Sequence, residues 1–156
     1  MRTLQVVVAD YAVARFYRLP NAAVRLELID ALSNPSARTT ERELVSGRPG
    51  RMFDRGTGHP QSFDPRSRHK RIFEENFARS IARRIGRQLA AERADELVVV
   101  AGPRLLGLIE LQLSKAARRR LAATVPQDLA RLSAAELSRK LMPLRARLRR
   151  KVVPAA

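Results

Sequence analysis

The chain has 156 residues, 45% of them hydrophobic, which is enough to bury one real core and too short for two ordinary domains. It has no cysteine, which excludes disulfides, thiol catalysis and cysteine-ligated zinc and fits a cytoplasmic protein. A formal net charge of +16, from 31 Lys and Arg against 15 Asp and Glu, points to a polyanionic partner. Most of that charge is arginine, which forks onto phosphate and stacks on bases, so nucleic acid is favoured over an anionic membrane or a merely solvated surface.

In chain order, "LQVVVA" (residues 4–9) is a β-branched run expected to form a buried strand, and "ARFYRL" (14–19) is its hairpin partner across the turn at 10–12. The apolar start is too short for a signal-peptide core, and no stretch approaches the length needed to span a bilayer, so membrane insertion is not expected. "VRLELI" (24–29) alternates apolar and charged residues and predicts a third, half-exposed strand. Residues 33–46 are polar and read as extended or irregular. "SGRPGRMFDRGTGHPQSFDPRSRHK" (46–70) has no apolar period and holds four of the seven glycines, so residues 46–64 are expected to form a long glycine-rich loop.

From Pro65 the period changes to that of a helix. Phe73, Phe77, Ile81, Ile85 and Leu89 recur every four residues, with Ile72, Ala78 and Ala82 widening the stripe. Asp64 is placed to cap the helix and Pro65 to occupy its first turn. On another side Arg79, Arg83 and Arg87 repeat at the same spacing, joined by Arg84, and predict a charged rail about 12 Å long. "ELVVVAG" (96–102) is the strongest buried-strand signal, followed at once by a helix opening at Pro103 and running through "KAARRR" to residue 120. A short strand is expected at 121–127. Ser133 to Glu136 forms a capping box for the last helix, which Pro143 lies inside or ends. The sum is an α/β fold: a single domain over 1–144, a mixed sheet with helices packed on it, and a basic tail at 145–156.

The chemistry these residues allow is narrow. His59 and His69 are the only histidines and have no partner at a ligand spacing, so no metal or other cofactor is expected. Neither a nucleophile elbow nor a P-loop is present. Asp10, at the end of the first strand, could serve two-metal nuclease chemistry, but Asp30 and Asp95 are poor partners and a turn-forming role is the commoner one. What remains is Arg48, Arg51, Arg55, Arg66 and Arg68 in and beside the loop, next to Arg79, Arg83, Arg84 and Arg87 of the helix. This is an instrument for phosphate and RNA. Phe53 and Phe63 are the loop's only stacking candidates, so backbone or shape recognition is favoured over base readout.

Together, "VVVADYAVARFY" (6–17), "SGRPGRMF" (46–53), "GHP" before the long helix, "NFARSIARRI" within it and "VVVAGPRLLGLI" (98–109) resemble the bacterial host attachment protein family, also described as "protein required for attachment to host cells". The resemblance covers nearly the whole chain. It implies a ribonuclease-H-like mixed sheet similar to the central domain of archaeo-eukaryotic class I peptide release factors. In those factors the corresponding loop carries a Gly-Gly-Gln tripeptide that helps water attack peptidyl-tRNA on the ribosome. Here Gly56, Gly58 and Gln61 stand in a similar setting without a contiguous Gly-Gly-Gln, so they are candidate catalytic residues while binding is the favoured role. Gly47 stands where the family commonly has an acidic residue, and Glu110 near a position that is commonly arginine. The resulting expectation is a cytoplasmic domain associated with RNA or the ribosome. The alternatives are a peptidyl-tRNA hydrolase acting in ribosome rescue, or an interaction protein acting indirectly in surface attachment.

Overall fold

The computed structural model describes residues 3–20, 25–35 and 65–151, the last three by backbone alone. Its centre is a five-stranded sheet of β1 (Leu4–Ala9), β2 (Val13–Leu19), β3 (Glu27–Ser33), β4 (Glu96–Ala101) and β5 (Leu121–Val125), in the order β3-β2-β1-β4-β5. β1 pairs antiparallel with β2 and parallel with β4; β2 and β3 are antiparallel, β4 and β5 parallel. The sheet is therefore mixed, with hairpin-linked strands on one side of β1 and parallel crossovers on the other.

The two valine-rich runs occupy the central strands because both of their faces are covered, the situation that favours unbroken β-branched sequence over alternation. Val7, Ala9, Phe16, Leu97, Val99 and Ala101 bury one face against α1 (Pro65–Ala91), α2 (Pro103–Gln112) and α3 (Lys115–Arg120). Val6, Val8, Tyr17, Leu19, Val98 and Val100 bury the other against α4 (Ala134–Lys151) and the preceding Leu129 and Ala130. Each large side chain removed from water in these layers contributes about 1.5–3 kcal/mol of apolar burial.

The long-helix stripe holds for Phe77, Ala78, Ile81, Ala82, Ile85 and Leu89, all buried. Ile72 departs from it and is 45% exposed. At about 100° per residue it falls in phase with Arg79 and Arg83, not with the core stripe. Arg93, in the left-handed conformation (φ 49°), marks the chain's exit from α1 toward β4.

Three boundaries differ from expectation. The third strand starts three residues later than the alternation of "VRLELI" implies and runs on to Ser33, with a bulge opposite the Phe16–Tyr17 step where Ile29 and Asp30 both turn toward α1. The helix expected over 103–120 is two helices. Leu113 is extended and Ser114 starts α3, its hydroxyl accepting from the Ala117 N–H at 3.2 Å. Finally, α4 continues through Pro143 to Lys151 and Leu148 is buried, so the helix runs across the boundary expected at residue 144. Its start is the expected capping box: the Ser133 N–H donates to Glu136 Oε2 (3.0 Å) and the Glu136 N–H to Ser133 Oγ (3.2 Å).

Candidate nucleic-acid interface

The structure sorts the arginines into those spent on the fold and those left facing solvent. Arg84 belongs to the first group. Its Nη1 lies 2.5 Å from Asp30 Oδ2, which also accepts from Gln88 Nε2 at 2.8 Å. Gln88 in turn accepts from the buried Gln5 at 2.6 Å, so a polar chain crosses from β3 over α1 to β1. Burial alone would raise the Asp30 carboxyl. The Arg84 bond, the Ala31 N–H, the Arg84 charge and the Gln88 amide together outweigh that and hold it below its ordinary value. Arg18 is shared between Glu27 (2.9 Å) and Glu92 (2.7 Å).

The basic run of α3 is also partly structural. Arg118 Nη2 donates to the carbonyls of Glu110 (3.0 Å) and Leu111 (3.4 Å) at the end of α2. Arg120 Nη1 donates to those of Leu89 (3.1 Å) and Ala94 (3.2 Å), at the end of α1 and just beyond it. Carbonyls at helix ends have no intrahelical partner, and a guanidinium satisfies them while matching the helix dipole.

Arg79, Arg83 and Arg87 belong to the other group, as do Arg93, Arg119, Arg131, Arg139 and Arg147 elsewhere on the surface. The three on α1 are exposed, none has a carboxylate partner among the described residues, and their spacing spreads them over about 80° of arc opposite the buried stripe. Asn76 and Ser80 lie on the same outward side, and Ser80 Oγ donates to the Asn76 carbonyl at 3.0 Å. Toward its start α1 remains basic: Arg66 is half-buried, while Arg68, His69, Lys70 and Arg71 are exposed. The predicted rail therefore exists as a row of three, with Arg84 turned to Asp30. Arg48, Arg51, Arg55, Gly56, Gly58, Gln61, Phe53, Phe63 and the Asp64 cap lie outside the described residues.

A second polar group lies where β1 and β4 end at their carboxyl edge. Glu74, on α1, is buried, and its Oε2 is 3.0 Å from Nη2 of Arg104 in the first turn of α2. The hydroxyl of Tyr11, just past β1, is buried without a hydrogen-bond partner. Burial raises its pKa, the Glu74 charge raises it further, and Arg104 opposes both. Sequence reading passed over this group. Its one signal is Glu74 itself, a carboxylate three and four residues before Phe77 and Ala78, in phase with the buried stripe. Asp10 has the turn-forming role: its Oδ1 accepts from the N–H groups of Ala12 and Val13, each at 2.8 Å. Among the described residues no three His, Asp or Glu are grouped to hold a metal, and no helix is long and apolar enough to cross a membrane.

Residues 5–141 match the family described as "protein required for attachment to host cells". The chain belongs to this family. No curated protein matches the sequence. Among solved structures, an archaeal translation termination factor is similar at 12% identity and a TM-score of 0.42, over 94% of this chain and 40% of that one. Another, described as an archaeal protein, is similar at 12% identity and 0.41, over 94% and 39%. The chain thus spans about two fifths of the length of each. Within the host attachment family, this member's mixed sheet presents the long helix α1 with a basic outer side.

Proposed function

We propose that this host attachment family member is a cytoplasmic protein, associated with RNA or the ribosome, that grips the phosphate backbone through the outer face of α1. The observation that carries the reading is the row of exposed guanidiniums at Arg79, Arg83 and Arg87, unpaired among the described residues while Arg18, Arg84 and Arg104 are matched to carboxylates. Leaving three arginines unneutralised on one helix face, in a chain of net charge +16, sets up a field that attracts a polyanion and releases its counterions on contact. On this reading the attachment in the family's description is reached indirectly, through gene expression or envelope assembly.

Filter binding to transfer RNA and co-sedimentation with ribosomes, each over a salt series, test it. The expected result is binding at low salt that falls steeply and log-linearly as salt rises. Absence of binding at low salt, or affinity indifferent to salt, would overturn the reading.

A further inference from the structure

The same face carries information about the form of nucleic acid it fits. Proteins that hold single strands stack successive bases on exposed aromatic rings. Among the described residues no such ring is offered: Phe16, Tyr17 and Phe77 are buried, and Tyr11 and Phe73 are half-buried. A described face of guanidiniums with no exposed ring beside it suits a partner that presents phosphates while keeping its bases to itself, as a double helix does.

The shape of the face narrows the choice further. Along Arg79, Arg83 and Arg87 the inner side of α1 is pressed on the sheet, and α2 packs beside it. Over that stretch only the outer side of α1 is free, unlike an isolated recognition helix, which enters the major groove of B-form DNA. A-form RNA asks for no insertion, since its minor groove is wide and shallow and displays 2′-hydroxyls between the phosphate rows. Asn76 and Ser80, small and neutral, stand on the outward side beside the arginines, where groups able to hydrogen-bond hydroxyls are needed.

The length of α1 extends the surface. Its 27 residues run for about 40 Å, against about 20 Å for a six-residue strand such as β1 or β4. No residue of α1 before Glu74 is buried, and of the basic residues there Arg68 and His69 fall in phase with the rail. Arg68 and Arg87 are 19 residues apart, about 28 Å along one axis. Such a stripe reaches beyond the phosphates of a single nucleotide step to several along a stem.

Resting on the RNA reading above, we infer that the outer face of α1 recognises double-helical RNA, lying along the shallow groove with its arginines on phosphates and Asn76 and Ser80 toward the sugar hydroxyls. Fluorescence anisotropy with an RNA duplex of about 20 base pairs, one of its strands alone and the DNA duplex of the same sequence distinguishes the outcomes. The expected order places duplex RNA about tenfold or more ahead of both others. In an Arg79→Gln, Arg83→Gln, Arg87→Gln variant with an unchanged circular dichroism spectrum, the salt slope on duplex RNA is expected to fall by roughly 2–3, at about 0.9 per phosphate contact. Equal or tighter binding of the single strand, or of the DNA duplex, would overturn the inference while leaving RNA binding standing. An unchanged slope in the variant would remove the contact from α1. Absence of binding to all three at low salt would sink the underlying reading itself.

Discussion

Replacing Asp30 with Asn removes the charge that Arg84 is paired with while preserving the side chain's size. Two opposite charges at this separation near a protein surface attract by a few kcal/mol before desolvation and side-chain ordering are subtracted, and fully exposed pairs net only about 0.2–1 kcal/mol. Asp30 and Arg84 are 29% and 31% exposed, and Asp30 takes further bonds from Gln88 and the Ala31 N–H. The expected coupling is therefore about 1–2 kcal/mol, between an exposed pair and a buried charge-assisted bond. A double-mutant cycle of Asp30→Asn and Arg84→Gln, followed by urea unfolding, measures it. The pH dependence has a definite sign. The Asp30 carboxyl is lowered in the folded state, so its contribution is present above the unfolded carboxylate value of about 3.9 and is lost as pH falls through the folded value. The coupling should accordingly be full at neutral pH and vanish in acid. A coupling under about 0.3 kcal/mol at neutral pH, or one that persists undiminished below both values, would refute the reasoning.

Two further outcomes concern the helices. Leu148→Ala is expected to cost about 2–3 kcal/mol in urea unfolding, the range of a buried leucine near a helix end; a change of a few tenths would mean that the last turns of α4 add nothing to the core. Gly86→Ala should raise stability by about 0.5–1 kcal/mol, read as an increased melting temperature, because a β-carbon there meets open space within a regular helix and the glycine costs only chain entropy.

Local pattern was a good guide wherever one physical demand ruled a segment. The valine runs of β1 and β4 and the apolar stripe of α1 carry the period of their own backbone, the proline opening α2 and the Ser133–Glu136 box report interactions within a few residues, and all stand as elements or caps. Pattern misled where a distant partner intervened. The bulge in β3 breaks the alternation of the strand, at the place where Asp30 meets Arg84 and Gln88 from α1. The single helix expected over 103–120 likewise breaks at Leu113, and Arg118 and Arg120 beyond the break donate to carbonyls near the ends of two other helices.

By itself the sequence determined a single α/β domain, its surplus of positive charge and the helical period that puts Arg79, Arg83 and Arg87 in one row. Those properties follow from composition and from the 3.6-residue turn, which need no knowledge of neighbours. The tertiary structure decided which charges are available. Arg84 shares the rail's sequence neighbourhood but is paired with a carboxylate 54 residues away, and Arg104 is paired with Glu74 at the carboxyl edge of the sheet. Pairing depends on through-space distance within a few ångströms, and chain spacing carries no record of that until the sheet has brought β3, α1 and α2 together.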